Sequence, residues 1–285
     1  PDRITSWEAC GVTDDFVWTN EDLKTFQGVY QGNHHVISGA LFCGSSAGLI
    51  SSLEGAVVNL RMEHCASIAK TLCQAIVVGE SSGTVSNCSV SDSIVVSADT
   101  NAYTGAIVGL AKLNSVISYN TSENNRIMND GNAAGGIVGQ SDVSVRDCLV
   151  NGGDVSGEES TGGIVGTVTN SAEGICIHGC QSSANISGKY HIGGICGYYV
   201  QYTFIEPSGP LTISECTNRG NLTERAVSDY GLKQYLGGIM GDAQGAVTIT
   251  KCHNSGDVLS DQETCNASEA VSYTHLRAHE TSLHL

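Results

Sequence analysis

Short apolar pieces recur along the chain and are separated by Gly, Asn, Ser and Asp. The clearest pieces place an aliphatic residue at every second position: Val143-x-Val145, Ile175-x-Ile177, Leu211-x-Ile213 and Val247-x-Ile249. Alternation with a period of two predicts a β-strand that buries one face. The residues in between, such as Ser144 and Thr248, are therefore expected to face water.

Two further features repeat with one period of about thirty residues, which predicts a repeat architecture. One is a glycine-rich segment, clearest as Gly162-Gly163-Ile164-Val165-Gly166. Its copies end at Ser51, Gly79, Gly109, Gly139, Gly166, Gly197 and Gly241. The other is a column three residues beyond each alternating piece: Leu60, Cys88, Tyr119, Cys148, Cys180, Cys216 and Cys252.

Three apolar pieces in each repeat favour an all-β fold, a right-handed parallel β-helix of about seven coils of roughly 30 residues. The pieces are the alternating strand, a second strand at Ile186, Leu222 or Val258, and the glycine-rich corner. We expect Val145, Ile177, Ile213 and Ile249 to form one internal stripe. A propeller or sandwich is the alternative, but its hairpin signals are scarce. The predicted handedness follows the general preference for right-handed crossovers.

The polar turn is expected just after the Cys column, where Asn218 and Gly220 are suited to positive φ. Residues 1–45 are predicted to be an N-terminal cap, with a short helix from Thr19 through Leu23 and Phe26. Residues 46–260 are the predicted solenoid. Residues 261–285 do not repeat, and from about residue 271 the sequence resembles a translated sequencing-adapter read-through, so the native protein is expected to continue beyond this region.

The charge balance restricts the partners of the chain. Its 29 acidic and 13 basic residues give a formal net charge of −16. Such a charge repels phosphate backbones and anionic lipid surfaces, so nucleic acid is not an expected partner. No apolar run reaches the length of a membrane span, and direct membrane insertion is not expected either.

The repeated cysteines could be disulfides, a metal ladder or core packing, and we favour packing. Side chains stacked in register run parallel, which fits disulfide geometry poorly. Cys176-x-His178-x-Cys180 is the most metal-like cluster. Strand alternation, however, puts Cys176 and His178 outside and Cys180 inside, which does not close one tetrahedral site. No metal or cofactor is therefore predicted.

Two insertions carry the candidate ligand-binding residues. They lengthen the repeats after Gly197 and after Cys216, and they add aromatic side chains to a chain that is otherwise poor in them: Tyr198, Tyr199, Tyr202, Phe204, Tyr230 and Tyr235. Loops on a rigid solenoid are common binding sites, and tyrosines suit contacts with sugars or proteins. The alternative is that these residues fold back as a small local core. No catalytic carboxylate cluster recurs beside a basic residue, so the chain is not predicted to be an enzyme.

The G-I-V-G, G-L-I-S and G-I-M-G segments, with the following I-x-x-C-x-N-x-G-x-V pattern, resemble the GLUG-motif repeats of large bacterial surface proteins. Residues 26–39 resemble the lead-in to such repeats. The resemblance implies an extracellular β-solenoid segment of a larger protein, adhesin-like or attached to a surface peptidase, and it supplies no catalytic residues. We therefore expect a secreted, cell-surface, non-catalytic stalk or adhesin segment, with glycans or surface proteins as partners through the aromatic insertions. The alternative function is a carbohydrate-active β-helix enzyme, a polysaccharide lyase or hydrolase.

Overall fold

The chain forms stacked parallel sheets. The computed structural model describes residues 3–4, 25–44, 48–169, 174–201, 209–225 and 234–260. Within these ranges all the regular elements are β-strands, and strands from successive coils pair in parallel in five sheets. The fold is therefore all-β and solenoidal, as predicted, and its stacking is consistent with a right-handed parallel β-helix.

One coil passes through the five sheets in a fixed order, and we number the sheets I to V in that order. Sheet I contains Ile50–Leu53, Val78–Ser81, Val108–Ala111, Val138–Ser141, Val165–Thr169, Cys196–Val200 and Met240–Gln244. Sheet II contains Val29–Gln31, Ala56–Val58, Thr84–Ser86, Val116–Ser118, Val145–Arg146, Ile175–His178, Leu211–Ser214 and Val247–Thr250.

The other three sheets complete each coil. Sheet III contains Arg3–Ile4, Val36–Ser38, Arg61–Glu63, Ser89–Ser91, Thr121–Glu123, Leu149–Asn151, Gln181–Ser182, Thr217–Asn218 and His253–Asn254. Sheet IV contains Leu41–Gly44, Ala66–Ala69, Ile94–Ser97, Arg126–Asn129, Asp154–Gly157, Asn185–Gly188, Leu222–Glu224 and Val258–Leu259. Sheet V contains Cys73–Gln74, Tyr103–Gly105, Ala133–Gly135, Ser160–Gly162, His191–Gly193 and Tyr235–Gly237.

The predicted internal stripe is present in sheet II. Val145 pairs with Ile177, Ile177 with Ile213 and Ile213 with Ile249. The first three side chains are fully buried, and Ile249 packs against the same core from a partly buried position. Ser144 and Thr248 are partly exposed, as expected for the outer face. The alternating pattern therefore identified both the strand and its buried side.

The glycine-rich segment forms the corner between sheets V and I, and its copies lie in register. Each glycine of the copy at residues 162–166 meets backbone. A Cβ on Gly162 would lie 1.9 Å from the Val165 carbonyl oxygen, and one on Gly163 would lie 2.2 Å from that of Gly194 in the next coil. A Cβ on Gly166 would lie 2.7 Å from the backbone nitrogen of Ala134 on the opposing sheet V. Glycine is needed here because the two sheets approach closely, as predicted.

The Cys column differs from the prediction in one coil. The residue in register with Cys88 and Cys148 is Asn120, because Ser89 pairs with Thr121 and Thr121 with Leu149. Asn120 is fully buried. Its side-chain oxygen accepts a hydrogen bond from the Cys88 backbone N–H at 3.0 Å, and its side-chain nitrogen donates to the Val85 carbonyl at 2.9 Å. The assignment of Tyr119 to the column was wrong by one residue.

Four residues after the Cys column, a turn with positive φ is present in four coils, at His64, Asp92, Asn124 and Gly152, and another such turn comes immediately before the column. Seven residues share this place in successive coils: Asn59, Asn87, Tyr119, Asp147, Gly179, Glu215 and Lys251, with φ between 52° and 65°. Asn218 instead lies buried in sheet III, where its side-chain amide bonds to the backbone N–H and carbonyl of Gly220. Gly220 is a site of close approach, since a Cβ there would lie 1.7 Å from the Ala184 carbonyl oxygen.

The N-terminal region joins the sheets early. Val29–Gln31, Val36–Ser38 and Leu41–Gly44 pair with the next coil in sheets II, III and IV. Phe26 makes an isolated parallel bridge to Leu53. The rest of the predicted helix around Leu23, and the tail from residue 261, lie outside the described residues.

The buried core has two parts. A large cluster extends through the coils from Ile37 to Val247. A smaller one, comprising Ile186, Ile192, Leu222 and Leu236 with Val258 against it, lies beside sheets IV and V in the last coils. The smaller cluster includes Leu222 and Leu236, which lie on the strands before and after the second insertion.

Candidate aromatic binding site

The structure describes three of the six predicted ligand-binding residues. Tyr198 and Tyr199 lie in the sheet I strand Cys196–Val200, and Tyr235 begins the sheet V strand Tyr235–Gly237. Tyr202, Phe204 and Tyr230 lie outside the described residues. The three described tyrosines therefore lie on two strands next to the insertions.

Tyr199 belongs to the core and not to a binding surface. Its side chain is 1% exposed and packs in the large cluster. Its hydroxyl donates a hydrogen bond of 3.0 Å to the Gly209 carbonyl, which fixes the far end of the first insertion, and burial raises the pKa of the phenol. Tyr199 therefore belongs to the main core and not to the small local core that was the alternative.

Tyr198 and Tyr235 both stack on His191. The His191 and Tyr198 rings have centroids 4.2 Å apart and planes inclined by 11°. The His191 and Tyr235 rings are 5.5 Å apart and inclined by 8°. All three residues are partly buried, and the His191 side chain is 18% exposed. We call His191, Tyr198 and Tyr235 the aromatic cluster.

Strand register brings the cluster together with a carboxylate. His191 pairs with Tyr235 across sheet V, and Tyr198 pairs with Asp242 across sheet I. Because sheets V and I meet at the glycine corner, the two pairs are neighbours. The His191 Nε2 atom lies 3.6 Å from the Asp242 Oδ2 atom.

His191 is neutral in this setting at neutral pH. Burial lowers the pKa of its imidazole, and the nearby Asp242 carboxylate only partly opposes that shift. The Nδ1 atom is buried and has no hydrogen-bond partner among the described residues. The aromatic cluster is thus uncharged, and Asp242 adjoins it as a partly exposed carboxylate.

A group of charged side chains lies along the strand edge next to the cluster. The Glu158 carboxylate bonds to the Lys189 ammonium group and lies 3.7 Å from an Arg225 guanidinium nitrogen. Gln234, which precedes Tyr235, donates its side-chain amide to the backbone carbonyls of Lys189 and Arg225 at 2.8 and 3.1 Å. We call Glu158, Lys189 and Arg225 the ionic group.

The metal-like motif has the predicted orientation. Cys176 and His178 are partly exposed on the outer face of sheet II, whereas Cys180 is fully buried. The His178 Nδ1 atom lies 3.0 Å from the Ser214 hydroxyl in the next coil, and its Nε2 atom lies 3.9 Å from the Glu215 carboxylate. No group of three or more potential metal ligands converges within the described ranges.

The column cysteines are free and mostly buried. Their thiols donate to backbone carbonyls, as Cys216 does to Ser214 at 3.3 Å and to Ile177 at 3.6 Å. Burial raises the pKa of Cys88 to about 11. The neighbouring Cys180 thiol, together with burial, raises the pKa of Cys216 to about 12. These protonated thiols fit core packing, as favoured from the sequence.

Comparison with known proteins gives no relatives: no family model, no curated protein and no solved structure matches the chain. The part of the chain that the structure describes holds no helix that is long and apolar enough to cross a membrane.

Sequence reasoning missed His191 and Asp242. His191 is the first residue of a sheet V strand whose other residues are Ile192 and Gly193, and Asp242 follows the GGIMG segment within sheet I. The available signal was the distance from the glycine-rich segment. His191 precedes its segment at the position that Tyr235 occupies in the next coil. Asp242 follows its segment at the position that Tyr198 occupies in the preceding coil.

Proposed function

We propose that the chain is a non-catalytic, extracellular repeat module, a stalk or adhesin segment of a larger bacterial surface protein. In this proposal it binds a glycan or a surface protein through the aromatic cluster. The observation that carries the proposal is that the partly exposed residues of the aromatic cluster stack beside the Asp242 carboxylate. Paired strands of sheets V and I fix their positions. Such surfaces suit recognition because rigid rings contribute contact area at low entropic cost.

The resemblance of the repeats to GLUG motifs supports the surface location, as does the net charge of −16, which disfavours nucleic acid and anionic lipid. Coils that pair through parallel backbone hydrogen bonds are suited to a stalk, because they extend the molecule by about 4.8 Å with each repeat.

A glycan array and a panel of immobilised surface proteins test the proposal. The intact chain is expected to bind at least one class of ligand, and Tyr235→Ala is expected to weaken that binding by about tenfold, the cost of one lost aromatic contact. Tyr119→Ala is a matched control, because Tyr119 is an exposed tyrosine on a turn remote from the cluster. Equal loss in both variants, or no binding at all, would contradict the proposal.

A carbohydrate-active enzyme is the second candidate, and the proximity of His191 to Asp242 favours it. An imidazole and a carboxylate 3.6 Å apart beside aromatic rings could serve in acid–base chemistry on a sugar. Release of reducing ends or unsaturated sugars from polysaccharides, lost in His191→Ala, would establish this function. Binding without turnover favours the first candidate.

A further inference from the structure

We infer that the aromatic cluster and Asp242 together recognise a neutral hexose-containing saccharide and not an acidic one. This inference rests on the binding function proposed above and narrows it to one class of ligand. It depends on how charge is distributed around the rings.

The rings provide a surface for the apolar face of a sugar. Tyr198 and Tyr235 are partly exposed and are held nearly parallel to His191. The C–H groups on one side of a hexose ring pack on such a surface, because the π-face of an aromatic ring carries partial negative charge. Neutral His191 adds no positive charge that would attract a carboxylate or sulfate.

Asp242 supplies the polar contact. A carboxylate only accepts hydrogen bonds when it is ionised, so it favours ligands rich in hydroxyl donors, and such charge-assisted bonds are stronger than neutral ones. The side chain of Asp242 is 26% exposed, next to His191. Its charge would repel a uronic acid or a sialic acid placed on the same rings.

The nearby cations do not reverse this preference. Lys189 and Arg225 share the Glu158 carboxylate, so their attraction for a ligand anion is partly cancelled. At longer range the chain carries a formal charge of −16, which lowers the local concentration of polyanionic glycans. Local and long-range charges therefore select against the same ligands.

The test compares binding of neutral hexose oligosaccharides with binding of the corresponding uronic-acid and sialylated oligosaccharides. The intact chain is expected to bind neutral members. Asp242→Asn is expected to weaken that binding by about tenfold or more, because a charge-assisted bond becomes a neutral one. Asp154→Asn makes the same change of charge on an exposed site of sheet IV and is expected to leave binding unchanged.

Tyr235→Phe and Tyr235→Ala form a second pair that does not depend on Asp242. The phenylalanine variant keeps the ring and should retain binding, whereas the alanine variant should bind about tenfold more weakly. Circular dichroism melts verify that both variants fold. Binding of acidic saccharides alone, or unchanged binding by Asp242→Asn, would overturn the inference while leaving glycan binding intact. Binding of a surface protein but no saccharide would overturn the inference and retain the module function. Binding of neither would overturn both.

Discussion

Two columns of residues, one at the start of the sheet V strands and one in the sheet I strands, differ in size and charge between the middle coils and the late coils. In the middle coils, the first residue of the sheet V strand is Ala133 in one coil and Ser160 in the next, and both are small and buried. In the late coils the equivalent residues are His191 and Tyr235, and the matching column of sheet I changes from Thr167 to Tyr198 and Asp242.

The inward positions do not change in this way. Val138, Val165, Cys196 and Met240 follow one another in register in sheet I, and all four are buried and apolar. Coil stacking therefore depends on the inward columns and on the glycine corner. The outward edge can therefore acquire rings and charges without a change of fold.

The largest expected effect comes from breaking the internal stripe. Ile177→Ala removes a fully buried side chain and leaves a cavity, so the free energy of unfolding should fall by about 2–5 kcal/mol. Ile249→Ala alters the same column in the last coil, where the side chain is only partly buried, and should cost clearly less. Urea denaturation of both variants measures the difference, and equal losses would contradict the burial gradient.

The glycine corner gives the next largest effect. Gly162→Ala places a methyl group against the Val165 carbonyl oxygen and the Gly197 nitrogen, and the resulting overpacking should cost about 1–3 kcal/mol. Gly28→Ala is the matched control, since the nearest atom to its Cβ would be a carbon of the Phe26 ring, at 3.2 Å. If thermal melts found the two variants equally stable, close approach would not be the reason for glycine at the corner.

The rate of alkylation is expected to differ between buried and exposed cysteines. Cys88 has a pKa of about 11 against an ordinary value of 9.0, so its thiolate fraction at pH 8 is about a hundredfold lower from the pKa alone. Alkylation with iodoacetamide should therefore modify exposed Cys43 and partly exposed Cys176 well before Cys88.

Peptide mapping over time gives the order of alkylation, and raising the pH towards 11 should accelerate the reaction at Cys88. Rapid modification of Cys88 in the native protein at pH 8 would be inconsistent with a buried, protonated thiol.

The smallest expected effect is an increase in stability. Tyr119 has φ of 57°, a conformation that costs most L-residues about 1–2 kcal/mol, while Asn59 and Asn87 adopt it at the same place in other coils. Tyr119→Asn should raise the free energy of unfolding by up to about 1 kcal/mol, since the tyrosine side chain is exposed and little packing is lost. Tyr119→Ala should give no such gain, and a gain in both variants would assign the effect to the lost ring instead.

The sequence predicted the fold well where a strand contributes several inward residues. Ile175–His178 places two aliphatic side chains in the core and was identified. Ser89–Ser91 buries only Val90, so it looks like a polar turn, and the sheet III strands were missed for this reason. The single glycine-rich piece also covers two strands, one in sheet V and one in sheet I. The three predicted pieces per repeat are therefore five strands.

The candidate site was partly predictable. Tyr198 and Tyr235 were identified from local enrichment in aromatics, which does not depend on register. His191 and Asp242 become relevant only when strands 44 residues apart are paired, since His191 lies opposite Tyr235 and Tyr198 opposite Asp242. The one-residue error at Tyr119 has the same origin, because a single sequence does not reveal where a coil gains a residue.

Nuclear Overhauser contacts between the methyl groups of Val145, Ile177, Ile213 and Ile249 test the central claim most directly. In methyl-labelled protein, in-register stacking predicts contacts from each of these residues to the next one along sheet II, and no contacts that skip a coil. Missing contacts between successive members, or close Hα–Hα contacts of antiparallel hairpins among these strands, would contradict the account.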